Sequence, residues 1–294
     1  MATESQSETK QFGKQDQFFT HERLRKSNRV FQVLTVIILI GYIGFPVFWM
    51  FMNTFKGARV ILEHPFRLIP ANPTIEIYQT LFTETLFLTY FKNSVIVAIG
   101  SVTISVTLCT LAGYGLARSR FKGKTNLARA VLFAYMFPAI LLGIPLYIIF
   151  FKLGLLNSYI ALILAHAART IPFGIWIMWQ YYQSIPVSFE EEAAWINGAN
   201  QFRTIKDVVI PLSLPGILVV AVLNFAASWN DFTFATILMT DQPMYTLPVG
   251  IDFFKEGMSI DWGLILSSGA VMTLPGFLLI GFIQKYLIQG FNLS

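Results

Sequence analysis

The sequence predicts an all-α, polytopic membrane protein with six transmembrane helices. Three observations carry that expectation. Hydrophobic residues make up 55% of the 294-residue chain and charged residues only 13%, about half the charged share of a soluble domain. Mean hydropathy is +0.60. The apolar residues are also gathered into runs long enough for a bilayer, which takes about 20 residues at about 1.5 Å each. An ordinary soluble enzyme is excluded, because too little polar surface remains to face water. Disorder is excluded too, because it needs low hydrophobicity with high charge.

The elements follow in chain order. Residues 1–29 are polar, with both charge signs, and read as a cytoplasmic tail; residues 30–294 read as one transmembrane domain. The first span, 31–52, has no charge. It is too long for the apolar core of a signal peptide and lacks a small-residue cleavage site, so it reads as an uncleaved anchor. The second, 93–117, is also uncharged. The third, 127–151, carries only Arg129 near its start, and the fourth, 153–182, only Arg169 inside it. The fifth, 211–238, contains Asp231, and the sixth, 262–284, has no charge. In lipid every backbone polar group must be paired within the segment, so runs of this length are helices. Two long outer loops, 53–91 and 239–261, are rich in proline or acid, and the longest inner segment is 183–210.

Orientation follows from the basic residues. With the N-terminus inside, 14 Lys and Arg fall on the cytoplasmic side and 6 on the other, with Arg169 left within the membrane. The positive-inside rule therefore favours N-in and C-in. The net charge of +5 is read as this topology signal and not as a nucleic-acid footprint.

Most chemistry is missing. A single cysteine, Cys109, excludes an internal disulfide, a multi-thiolate zinc site and an iron–sulfur cluster. His21, His64 and His166 stand far apart with no acid at ligand spacing. Gly123-Lys124-Thr125 ends like a phosphate-binding loop, but Arg118 occupies the place of its first glycine. No metal, nucleotide or catalytic constellation is expected on this chain.

The informative stretch is Ser184 to Gly216. Ser188 followed by Glu191 fits a capping box. Glu190, Glu191 and Glu192 would fall in a first helical turn, where the helix dipole favours anions. Gly198 suits a left-handed stop. A short helix over 189–197 follows, then a second from about Asn200, with Pro211 at the entry to the fifth span. Ala193, Ala194 and Gly198 give the first of these helices a small side, fit for close docking in a partner's groove.

Glu192-Ala193-Ala194, then Gly198, then Ile210-Pro211 resembles the EAA motif of ABC importer permeases, with Asn197 where an Asp is common. Further matches include Phe91-Lys92-Asn93-Ser94, Gly113-Tyr114-Gly115-Leu116-Ala117-Arg118, Trp229-Asn230-Asp231-Phe232 and Thr246-Leu247-Pro248-Val249-Gly250. Together they are similar to the carbohydrate-uptake branch that includes the second maltose permease subunit. The resemblance implies an importer-type ABC permease fold in a bacterial inner membrane. It implies four kinds of partner: a second permease subunit, an ATPase dimer, an extracytoplasmic solute-binding protein and membrane lipid. ATP and Mg would be bound by the ATPase subunits and no cofactor by this chain. Glu191, Glu192, Ala193, Ala194 and Gly198 would form the ATPase-coupling helix. Thr246, Pro248, Gly250 and Asp252 would lie in the loop that meets the binding protein. The cargo implied is a sugar or oligosaccharide. An anionic sugar derivative is the alternative, and a secondary transporter without ATP is the rival class.

Arg169 raises its own question. A charge in mid-span costs at least about 2.5–3.5 kcal/mol unless it meets a partner or a cavity. His166 is one helical turn away, and Asn224, Ser228 and Asp231 recur at helical spacing in the fifth span. Three readings stand: a pair with an acid such as Asp231, a contact with the second permease, or a place on the substrate path.

Overall fold

The computed structural model describes residues 31–185, 187–255 and 260–291. The expected tail, 1–29, lies outside them, as do Glu256 and the side chains of Ser188 and Glu190. Among the described residues the chain is helical with no strand. Four helices are long and apolar enough to cross a membrane: α1 (Phe31–Asn53), α4 (Phe87–Arg118), α7 (Tyr159–Ser184) and α14 (Trp262–Phe291). Two short helices, α2 (Ala58–Glu63) and α3 (Glu76–Thr83), lie in the loop between α1 and α4.

Two of the six expected spans are broken. The stretch expected as one helix over 127–151 is α5 (Lys124–Ala134) followed by α6 (Ala139–Lys152), bent by 90°. Pro138 sits at the N-cap of α6 with extended ψ. It lacks an N–H and disfavours a helical residue before it, so the first helix has to stop. The stretch expected over 211–238 is broken twice. Short α9 (Gln201–Thr204), a π-helical turn over Ile205–Val209 and α10 (Ile210–Leu212) precede a 75° bend at Ser213. Then α11 (Leu214–Trp229) runs straight, with a proline in its first turn. The chain breaks again at 230–232 before α12 (Thr233–Leu238). The apolar runs set the total length, and the prolines set where it folds back. The count is therefore four unbroken candidate spans, or six if each bent pair is one span.

α4 and α7 form the central pair, with α11 against both. Buried Cys109, Met178, Tyr182 and Val220 pack at one level of this trio. Val97, Ala161, Leu162 and Ala165 pack at another level, together with Phe234 of α12. Ser105 and Thr170 join α4 to α7 through hydroxyls 3.2 Å apart. In lipid such packing and interhelical hydrogen bonds replace the hydrophobic drive between helices. α1 is different: its side chains from Phe31 to Phe45 are almost all exposed. A helix apolar all round belongs in lipid or against another membrane subunit.

The loop over 239–252 is tied down by buried polar groups. Asn93 donates from Nδ2 to the carbonyls of Pro243 (2.9 Å) and Tyr245 (2.8 Å), and its Oδ1 accepts from the Tyr159 hydroxyl at 2.7 Å. The Ser94 hydroxyl oxygen accepts from the Leu247 N–H at 2.7 Å. These bonds fix the 239–252 loop, with α13 (Leu247–Asp252), on the start of α4. Asn157, in the left-handed region at φ 57°, accepts from the Thr240 and Asp241 N–H groups and donates to Asp241 Oδ2 at 2.6 Å. It knots the turn before α7 to the loop after α12. Lys56, buried beside Asn53 Oδ1 at 2.7 Å, has its ammonium pushed below the usual lysine range by burial and then by Arg67.

Candidate functional site

The inner segment forms α8 (Val187–Ile196), a helix whose end is built as expected. Gly198 takes φ 82°. The Ala199 N–H reaches back to Ala194 O at 3.0 Å and the Gly198 N–H to Trp195 O at 2.9 Å. That is the paired C-terminal closure a left-handed residue allows. Asn200 then caps α9, its side chain accepting from the Arg203 N–H at 2.9 Å.

The start of α8 departs from the expectation. The helix begins at Val187, so Ser188 lies inside its first turn and not at the cap. Glu191 does not turn back to close a capping box. Its carboxylate is 3% exposed and accepts from Arg118 Nε at 2.9 Å. Arg118 is the last residue of α4, and its Nη1 also donates to the Tyr182 carbonyl near the end of α7 at 3.4 Å. The outward positions are Glu192, Ala193, Trp195 and Ile196, the last of them 84% exposed, with Ala194 half-buried. Of the five residues expected to form the docking surface, Glu191 therefore faces inward. The helix starts two residues earlier than expected, and the Arg118 guanidinium takes the Glu191 carboxylate toward the bundle.

The second polar centre lies where α7 meets the end of α11. His166 Nδ1 is 2.8 Å from Ser228 Oγ. Its Nε2 lies 3.1 Å from Asp231 Oδ2, close enough for an ion pair when the ring is charged but not aligned as a hydrogen bond. Asp231 Oδ2 also accepts from the Phe234 and Ala235 N–H groups at 3.0 and 3.1 Å. Arg169 Nη1 stands 3.8 Å from Asp231 Oδ1; the acid is 2% exposed and the arginine 36%. The expected single polar stripe is thus divided. Asn224 and Ser228 are on α11, which ends at Trp229, while Asp231 lies past the break and caps α12. Asn224 donates to Val220 O at 2.8 Å and leaves its buried Oδ1 without a hydrogen bond among the described residues.

Arg169 borders a cavity of about 320 Å³ with Tyr135, Phe137, Leu146 and Phe234, and supplies the only charge among the described residues lining it. Asn224 borders a smaller one of about 70 Å³, and Tyr135 lines both. Among the described residues no group of three or more His, Cys, Asp or Glu side chains could hold a metal ion.

Residues 106–292 match the family described as binding-protein-dependent transport system inner membrane component. The chain is 34% identical over 266 residues to the trehalose/maltose transport system permease protein MalG of Thermococcus litoralis, covering 89% of this chain and 94% of that one. It belongs to that permease family. It is also 28% identical to the sulfoquinovosyl glycerol transport system permease protein SmoH of Agrobacterium fabrum, over 93% of each chain. A solved structure of a bacterial ABC transporter involved in import of the acidic polysaccharide alginate superposes with a TM-score of 0.74. The two chains are 22% identical, and the match covers 88% of this chain and 97% of that one. The fold is therefore that of an ABC importer permease, set in the inner membrane, and the family's work is transport and not enzymatic catalysis.

As a permease of this family the chain carries residues that the linear sequence did not single out for their roles. Asn93, Ser94 and Asn157 hold the outer loop, and Arg118 holds α8. Asn93, Ser94 and Arg118 lie within quoted family motifs, but the partners of all four are 64 or more residues away. The outer loop needs a correction as well. Thr246 and Gly250 are buried, and a Cβ on Gly250 would run into the Tyr90 ring. They pack the loop on α4 and are not presented outward. Pro248 is half-buried, and Asp252 is half-exposed with Lys255 Nζ at 2.6 Å.

Proposed function

We propose that this chain is one of two permease subunits in an ATP-driven importer that takes a sugar or oligosaccharide from an extracytoplasmic binding protein into the cytoplasm. ATP and Mg would be bound by a separate ATPase dimer, and α8 would be the element that docks on it. The single observation that supports this most is the face of α8. Trp195 and Ile196 are exposed on a short helix with a closed C-terminal end, beside exposed Glu192, with nothing in this chain's described residues covering them. Two apolar side chains held out from a loop helix fit a partner groove better than water. The basic-residue asymmetry puts that helix on the cytoplasmic side, with six spans and both termini inside when each bent pair is one span.

The test is transport and ATPase stimulation by loaded binding protein in proteoliposomes holding the whole complex. Glu192→Lys and Gly198→Val should each cut transport at least tenfold while the spans stay assembled. Gly198→Val acts through φ 82°, which a β-branched residue cannot adopt without strain. Unchanged transport in both would end the docking reading. Transport by this chain alone, with no ATP, would favour a secondary transporter.

A second reading of the cargo rests on Arg169. Its guanidinium is 36% exposed at a cavity of about 320 Å³, held to Asp231 only at 3.8 Å. That leaves most of its five donors for a carboxylate or sulfonate. An anionic sugar derivative is then the cargo, in keeping with the sulfoquinovosyl glycerol named for one relative. Arg169→Gln should lower uptake of sulfoquinovosyl glycerol or a digalacturonide and spare trehalose. Equal loss for all three would leave Arg169 as an internal partner of Asp231.

A further inference from the structure

The ion pair between Arg118 and Glu191 joins two elements with different tasks. Arg118 closes α4, half of the central helix pair, and Glu191 lies on α8. The bond is direct, Nε to Oε1 at 2.9 Å, and the carboxylate is 3% exposed while the arginine side chain is 25% exposed. A charge-assisted bond of that length is stronger than a neutral one. Its surroundings extend it. Arg118 Nη1 reaches the Tyr182 carbonyl at 3.4 Å, and the Tyr114 hydroxyl sits beside the same carboxylate. The Tyr114 and Tyr182 rings meet edge to face with centroids 5.7 Å apart. The Tyr182 hydroxyl is 3.1 Å from Ser213 Oγ, which donates to Val209 O at the end of the π-helical turn. The ends of α4 and α7, the start of α8 and the bend before α11 are thus gathered on one pair of charges.

A buried pair of this kind is poor evidence for stability, since apolar side chains of like volume often replace it at no loss. What it does provide is direction. Among the described residues the short α8 otherwise packs chiefly on α9 and the π-helical turn, both on its own C-terminal side, so this pair is its direct tie to the end of α4. We propose that Arg118 and Glu191 are positioning residues that make α8 and the inner end of α4 move as one body, so that displacement of α8 by the ATPase dimer becomes a tilt of the α4–α7 pair. This rests on the reading of α8 as the docking element. It assigns Glu191 a role distinct from that of Glu192: the first faces the bundle, the second faces the partner.

Arg118→Gln, Glu191→Gln and the charge-exchanged double variant Arg118→Glu/Glu191→Arg would be compared in the complete reconstituted complex. The expected result is normal assembly and ATPase activity in both single variants, with transport per ATP hydrolysed down at least tenfold, and a partial recovery in the exchanged pair. The second measurement reads the native pair itself and needs only labels at two exposed positions. Spin labels on exposed Asn197 and Thr107, with buried Cys109 left in place, report the α8–α4 distance in the resting and ATP-bound complex. One unchanged distance is expected with the native pair, and a broadened one in Arg118→Gln. A distance that shifts between the two states with the native pair overturns the proposal, as does unchanged transport per ATP in both single variants. If Glu192→Lys blocks docking while Arg118→Gln changes nothing, the joint is wrong and the docking helix stands. If neither matters, the docking reading itself fails.

Discussion

Two arginine–carboxylate pairs sit in one helical bundle, and they are built on different plans. Arg118 meets Glu191 at 2.9 Å with the arginine 25% exposed, while Arg169 meets Asp231 at 3.8 Å with the arginine 36% exposed beside a cavity. Glu191 depends on its arginine for charge compensation. Asp231 has other donors as well, since its Oδ2 accepts from the N–H groups of Phe234 and Ala235 while Arg169 stands off its Oδ1. The difference teaches that a buried acid does not by itself define the role of the arginine next to it. Where the arginine is the acid's main counter-charge, the pair acts as a joint. Where the acid also holds backbone N–H groups and the arginine stands at 3.8 Å, the arginine keeps donors to spare.

The comparison can be broken by making the same change in both pairs. Arg118→Ala should have the largest effect. It leaves Glu191 buried without its counter-charge, a loss of about 3–5 kcal/mol, seen as an early unfolding midpoint of the detergent-purified complex. Asp231→Ala should come next. It removes the cap of α12, worth about 1–2 kcal/mol, and lowers the midpoint by less. Arg169→Ala should be smallest, under about 1 kcal/mol, because its contact is long and partly exposed. Equal losses for Arg118→Ala and Arg169→Ala in the same assay would erase the distinction. A fourth change sharpens it: Asp231→Asn keeps an acceptor for the α12 N–H groups, so it should recover most of what Asp231→Ala loses while still removing the charge facing Arg169.

Much of this was legible in the chain. Absence of charge over 31–52, 93–117 and 262–284 marked helices that the structure places within a few residues. Gly198 as a helix stop followed from its freedom at positive φ. The pairing of Arg169 with Asp231 was one of three open readings, because two opposite charges in apolar spans have few other partners. The rest needed distance information. Pro211 was visible as the entry to the fifth span, but Pro138 lay unmarked inside the third, and the bends of 90° and 75° were not foreseen. Glu191 and Arg118 are 73 residues apart, so linear spacing does not show that Glu191 turns inward to meet that arginine. The buried places of Thr246 and Gly250 were hidden for the same reason, since Ser94 and Tyr90, which hold that loop, belong to another helix.

The central claim is that α8 carries the outward, partner-facing half of this division, and one measurement addresses it directly. A photo-crosslinking side chain placed at exposed Ala193 in the full complex should form an adduct with an ATPase subunit, and the same group at exposed Thr107, within the α4 span, should not. No adduct from Ala193, or equal adducts from both positions, would contradict the account.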